Sequence, residues 1–157
     1  MAIVLAEYTP DGLNLLQAVK LLLIHDLVEI DAGDTFCYDL SGNQSKAERE
    51  FAAADRLFGL LPPEQGAELR SLWEEFEAQV TLEAKFATAL DRLQPILNNQ
   101  QTGGYSWQKH GITPDQVFWR MQPVQEGAPE LWPLVEQIVA DCVAAGYLQP
   151  VPQAESV

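Results

Sequence analysis

The feature that most constrains this chain is a long apolar stretch, from Leu13 to about Ile30, interrupted by His25, Asp26 and Glu29. Apolar side chains occupy nearly every helical position of this stretch, which is typical of a buried helix. Burying a carboxylate is costly unless it is paired, hydrogen-bonded or bound to a cation. The stretch therefore predicts a central helix that carries a polar site.

The remaining sequence also has helical patterns, and it shows no strand-like alternation of useful length. Helices are expected to begin at Ser45 and Thr113, which open capping-box patterns, and at Pro62-Pro63. Another helix is expected from Thr81 to about Leu97, followed by a loop over 98–111. We therefore expect an all-α fold, a single bundle of six or seven helices over residues 1–148 with a mobile tail at 149–157.

The charge of the chain narrows its possible partners. Its formal net charge is -14, and it contains nine Lys and Arg residues. Long nucleic acids and anionic membranes are held by clustered basic residues, so we expect neither as a partner. A small phosphorylated substrate is compatible with this charge if a divalent cation assists its binding.

Two further features indicate a cytoplasmic protein. The sequence has no apolar run of the length of a membrane span, and its first residues lack the basic start of a signal peptide. Its two cysteines, Cys37 and Cys142, are far apart and form no CxxC motif. We expect both to be free thiols in a reducing compartment.

The polar residues of the apolar stretch form a candidate metal site. His25 and Glu29 are four residues apart and share a helical face, with Asp26 one step round. An imidazole together with carboxylates suits a divalent ion. A further ligand is Asp91, because small residues on its helix, Ala84, Ala87 and Thr88, allow close approach to another helix. A surface Asp91 that is salt-bridged or serves as a cap is an equally good interpretation.

Three segments resemble one known family, the 5'-deoxynucleotidase-like branch of the HD-domain phosphohydrolases. The segments are LLIHDLVEIDAGDT at 22–35, EAKFATALDRL at 83–93 and WQKHGI at 107–112. The resemblance extends over almost the whole chain, from about Ile3 to Tyr147. It implies that residues 1–148 form an HD-domain bundle.

The resemblance also implies a divalent metal cation such as Mn, Co or Mg. In that family a His, then a His-Asp pair and then a distant Asp hold the metal, and the last three map onto His25, Asp26 and Asp91. The first His is absent, and so is an Arg that normally helps to bind the substrate phosphate. Both normally lie upstream of the segment that Met1–Tyr8 resembles. The expectation is that the chain is N-terminally incomplete relative to the family and begins inside the family's first long helix.

By the same resemblance, Glu29 orients the attacking water or shuttles its proton. Asp34 is then a second carboxylate near the substrate or near a second metal. Capping of a loop or helix end is the competing role for both residues. Lys85 and Arg92 are candidates for binding the substrate phosphate, and exposed counter-charges are the alternative. His110, in a Gly-flanked loop, is expected to be a structural histidine.

The implied reaction is hydrolysis of (deoxy)nucleoside 5'-monophosphates through a metal-bound water, by a homodimer acting on a small-molecule nucleotide. The alternative is a catalytically weak or inactive HD domain that binds metal or nucleotide, or an incomplete gene product. A di-iron oxygenase on the same scaffold needs more histidines than the two present. The cyclic-dinucleotide branch is disfavoured because Gly104-Tyr105 is followed by Ser106 and not by proline.

Overall fold

The fold is all-α, as predicted. The computed structural model describes residues 1–148, so the predicted mobile tail at 149–157 lies outside the described residues. Six helices of ten or more residues agree with the predicted number, and three shorter ones join them. The helices are α1 Leu15–Ile24, α2 Glu29–Ala32, α3 Leu40–Asn43, α4 Lys46–Phe58, α5 Pro63–Ala78, α6 Leu82–Gln101, α7 Tyr105–His110, α8 Pro114–Gly127 and α9 Trp132–Ala144. Short 3-10 helices cover Ala6–Tyr8, His25–Val28 and Pro129–Leu131.

The predicted central helix over 13–30 differs from the observed structure. Helix α1 ends at Ile24, a 3-10 turn follows over His25–Val28, and α2 resumes at Glu29. Three of its large apolar side chains are exposed, with relative exposures of 67% for Leu16, 69% for Leu23 and 72% for Ile30. The prediction of burial on all faces was therefore wrong, since a domain of this size leaves much apolar surface in contact with water.

The central helix is instead α6, on which most of the other long helices pack. Its Ala84 and Ala87 are fully buried against Leu21 of α1 and against Leu72 and Phe76 of α5. Small side chains on this face let the helices approach closely, as their spacing predicted. This contact places the end of α1 beside the middle of α6.

Helices α6 and α8 also pack very closely. A Cβ atom added to Gly127 would lie 2.1 Å from the backbone carbonyl oxygen of Lys85. No side chain fits there, so glycine at position 127 sets the separation of the two helices.

The predicted loop over 98–111 was wrong, because α6 continues to Gln101 and α7 follows over Tyr105–His110. Pro95 lies inside α6 and does not end it. Proline has no N–H, so the backbone carbonyl of Asp91, four residues earlier, receives no helical hydrogen bond from it.

The cysteine prediction agrees with the structure, in which Cys37 and buried Cys142 are free thiols. No helix within residues 1–148 combines the length and the apolar character needed to cross a membrane.

Candidate functional site

A cavity of about 360 Å³ lies where the end of α1, the segment 34–38 and helices α4 to α8 meet. It gathers most of the residues that the sequence singled out. Its wall includes His25, Asp26, Glu29, Asp34, Asp91 and Arg92. Lys85 does not line the cavity, because five residues lie between it and Asp91, a spacing that places it on a different face of α6.

His25 is held in one orientation at the wall of this cavity. Its Nδ1 donates a hydrogen bond to the backbone carbonyl of Leu22, at 2.9 Å. Its ring packs against Phe76, with 4.3 Å between the ring centroids. Its Nε2 therefore faces two carboxylates, Oδ1 of Asp26 at 3.0 Å and Oδ1 of Asp91 at 3.3 Å.

The two carboxylates control the charge state of this imidazole. Burial lowers the pKa of His25, but the hydrogen bond with Asp91 and the negative charges of Asp26 and Asp91 outweigh burial, so its pKa is raised. Burial acts in the opposite sense on Asp91, whose pKa is nevertheless lowered by the His25 hydrogen bond and by the charges of Arg92, His25 and Arg120. The site thus favours an ionised Asp91.

The chemistry of these side chains fits a divalent cation. A metal-binding histidine commonly donates its second ring N–H to a carbonyl, as His25 does to Leu22. The imidazole and carboxylate donors suit a borderline divalent ion. In residues 1–148, no group of three or more His, Cys, Asp and Glu side chains has the arrangement of a formed metal site. Asp26 and Asp91 instead contact the imidazole of His25 directly.

Two further carboxylates lie beside this group. Glu29 is half-buried, and its pKa is raised by burial and by the negative charges of Asp26 and Asp34. Gly33 ends α2 with a φ of 76°, a conformation that favours glycine, and thereby directs the chain toward Asp34 at the cavity wall. The carboxylate of Asp34 is therefore close enough to Glu29 to influence the protonation of Glu29.

Arg92 contributes positive charge next to the carboxylates. Its guanidinium forms an ion pair with Asp91, and its side chain retains 18% of its exposure. Lys85 is only partly buried, on a different face of the helix. Of the two predicted phosphate-binding residues, the structure places only Arg92 at the cavity.

Sequence reasoning missed several charged groups at the cavity wall: Lys46, Glu50, Glu77 and Arg120. Glu50 is 6% exposed and pairs with Lys46 at 3.3 Å. A signal was present, because Glu50 lies on the apolar face of α4 with Ala53 and Ala54. Arg120 likewise lies on the face of α8 that carries Val117 and Val124. A charged residue within an apolar helical stripe marks a polar group that faces the interior.

Another part of the wall is aromatic and apolar. Phe36 packs edge-on against Tyr38, with 5.4 Å between the ring centroids, and Trp107 is buried behind the cavity. His110 stacks on Phe36 at 4.3 Å but does not line the cavity. His110 is exposed, and its structural role stays a prediction. The cavity therefore offers both charged groups and flat apolar surface.

Comparison with known proteins finds a matching family and several relatives. The HD domain family matches residues 1–132 of the chain. The human 5'-deoxynucleotidase HDDC2 is 33% identical over 141 residues, a match that covers 90% of this chain and 68% of the relative. The Xenopus laevis 5'-deoxynucleotidase HDDC2 is 40% identical over 95 residues, which cover 60% of this chain and 47% of the relative.

A solved structure has the same fold. The crystal structure of a predicted metal-dependent phosphohydrolase from Magnetospirillum magnetotacticum MS-1 matches with a TM-score of 0.91 and 47% sequence identity. The match covers 96% of this chain and 75% of that protein. The resemblance inferred from the sequence segments is therefore confirmed, and the chain belongs to the HD domain family.

Proposed function

We propose that this chain is a metal-dependent phosphohydrolase that releases phosphate from (deoxy)nucleoside 5'-monophosphates. The observation that carries the proposal is the meeting of His25 with Asp26 and Asp91 at the wall of a cavity that also holds aromatic surface. A nucleotide needs both kinds of wall, one for its phosphate and one for its base. The similarity to 5'-deoxynucleotidases supports the same substrate class.

In this proposal His25, Asp26 and Asp91 hold a divalent cation such as Mn, Co or Mg. A cation there lowers the pKa of a water molecule and neutralises phosphate charge. Leu22 and Phe76 fix the imidazole and leave Nε2, on the side of Asp26 and Asp91, as the nitrogen that would bind the ion.

Two carboxylates act on the attacking water in this proposal. Glu29 accepts a proton from the attacking water, a role that suits a half-buried carboxylate beside other negative charges. Asp34 lies next to it at the wall and helps to orient the water or the substrate. Arg92 binds the phosphate, and Lys85, outside the cavity, takes no part.

Two further proposals concern the setting of the reaction. We place the protein in the cytoplasm, where its nucleotide substrates occur, and we propose that it acts as a homodimer. The large apolar side chains of Leu16, Leu23 and Ile30 are exposed and are available to such an interface, although single exposed apolar residues also occur on monomers. Light scattering during size-exclusion chromatography measures the oligomeric state directly.

The test of the reaction is phosphate release by the purified chain. Deoxynucleoside and nucleoside 5'-monophosphates are assayed with Mn, Co or Mg and with a chelator. Metal-dependent release that is lost in Asp91→Asn and kept in the surface control Glu130→Gln is the expected result. A wild-type chain that binds metal but releases no phosphate from any nucleotide would favour the alternative of an inactive HD domain, which the similarity to named enzymes does not favour.

A further inference from the structure

Two arginines from neighbouring helices face the same cavity. Arg92 lies on α6 and Arg120 on α8, and both line the wall. The chain has only nine Lys and Arg residues against 23 Asp and Glu residues. Two of these few cations lie near each other and are partly buried, an arrangement that a bound anion would stabilise.

Neither guanidinium has a full set of hydrogen-bond and ion-pair partners among the described residues. Arg92 pairs with Asp91 through one nitrogen, but its buried Nε atom has no hydrogen-bond partner in the part of the chain that the structure describes. Arg120 forms no ion pair with any carboxylate of residues 1–148. By contrast, Arg56 pairs with Asp31, and Arg70 pairs with Asp55 and Glu74.

The positive charge of Arg120 also acts on Arg92. The pKa of Arg92 is lowered by burial and by the positive charge of Arg120. Arg120 is close enough to Asp91 and Tyr38 to influence both, and burial raises the pKa of Tyr38 so that its hydroxyl stays neutral and can donate a hydrogen bond. An anion between the guanidiniums would remove their repulsion and accept hydrogen bonds from both.

We propose that Arg92 and Arg120 together form the binding site for the substrate's phosphate group, with Arg120 as its main unshared cation. This assignment rests on the proposed function and adds a residue that neither the sequence motifs nor the family resemblance indicated. Asp91 contacts both His25 and Arg92, so a phosphate held by the two arginines lies next to the metal-binding group.

The test removes the charge of Arg120 and measures phosphate binding separately from turnover. Arg120→Met should raise the inhibition constant of inorganic phosphate and the KM for a nucleoside monophosphate about 10- to 100-fold, the range expected for a lost charge-assisted hydrogen bond. Arg120→Lys should recover only part of this, because an ammonium lacks the two-pronged geometry of a guanidinium. Lys20→Ala, which removes a positive charge paired with Glu68 on the surface, should change neither constant.

Calorimetric titration with inorganic phosphate in the presence of Mn separates this proposal from the proposed function. If the wild type binds phosphate in an Arg120-dependent manner without hydrolysing nucleotides, the site stands and the proposed reaction fails. If the wild type hydrolyses nucleotides and folded Arg120→Met or Arg120→Lys binds phosphate as tightly as the wild type, the site is refuted and the reaction stands. Absence of phosphate binding by the wild type would also refute the site.

Discussion

The imidazole Nε2 of His25 and the carboxylate Oδ1 of Asp91 lie 3.3 Å apart, although 66 residues separate them in the sequence. The contact forms because small residues of α6 let that helix approach α1 closely. It joins the HD pair to the distant aspartate. Asp91 therefore lies at the cavity wall, although it also forms the salt bridge that the alternative interpretation expected, and the metal-binding role of the three residues stays a prediction.

Asp26→Ala and Glu29→Gln should separate metal binding from proton transfer. We expect Asp26→Ala to abolish metal binding because it removes one of three protein ligands. Glu29→Gln should keep most of the binding and lower kcat about 100- to 10,000-fold, the range for loss of a general base. Metal analysis and phosphate release on both variants measure this. Equal loss of metal in the two would contradict the assignment of roles.

Phe76→Ala should loosen the imidazole of His25 as well as the core. Removing this buried ring costs about 3–5 kcal/mol of unfolding free energy, as is usual for core phenylalanines. Phe58→Ala is the matched control. The relative exposure of Phe58 is 4%, close to the 3% of Phe76, but Phe58 packs in a different hydrophobic cluster. Both variants should lose similar stability in urea, and only Phe76→Ala should weaken metal affinity. Equal metal affinity in both would show that the ring does not position His25.

Glu77→Gln should raise the melting temperature at neutral pH. Glu77 is exposed at the cavity wall, where partial loss of solvent and the charge of Glu50 raise its pKa above the usual value of 4.5, so folding slightly disfavours its ionised form. Stability is therefore lost as the pH rises from the unfolded-state pKa through the higher folded-state pKa, and it stays reduced above that range.

Thermal melts of the wild type and Glu77→Gln at pH 7 and at about pH 4 check the direction of this pH dependence. The gain in melting temperature should shrink at the lower pH, because Glu77 is then mostly protonated in both the folded and the unfolded state. Glu130→Gln, at an exposed glutamate that does not line the cavity, serves as the control. A gain of the same size at both pH values would mean that packing, and not ionisation, is responsible.

Gly127→Ala should destabilise the protein through helix separation. The added methyl group would meet the Lys85 carbonyl oxygen at 2.1 Å, so α6 and α8 would have to move apart. A loss of about 1–3 kcal/mol or more is expected from such overpacking. Gly146→Ala is a poor control because of its φ of 73°, whereas Gln125→Ala probes helix α8 on its exposed side. Urea unfolding of both variants gives the comparison.

Much of this molecule could be predicted from its sequence. The all-α class followed from helical periodicity and capping patterns, such as the capping box at Thr113. The cavity residues His25, Asp26 and Glu29 followed from charge within an apolar helix, and Asp91 from its small neighbours. The family followed from the three segments and is confirmed by the comparisons.

Other features depend on tertiary contacts that periodicity does not encode. Ser45 begins α4 without the side-chain cap that its capping-box pattern predicted. Pro95 does not end α6, because packing along the whole helix outweighs one missing hydrogen bond. Arg120 and Glu50 reach the site from helices whose order around α6 only the fold defines.

The backbone beneath the site is irregular on both sides. His25 and Asp26 lie in a 3-10 turn, whose hydrogen bonds have poorer geometry than those of an α-helix. On the other side, the backbone carbonyl of Asp91 lacks its helical hydrogen bond, because the residue four positions later is Pro95, which has no N–H. Local opening should therefore be easier here than in the rest of α1 and α6, and amide protons of residues 25–29 should exchange early. A cation bound by these carboxylates would slow this exchange, so it would stabilise the local backbone in addition to its part in catalysis.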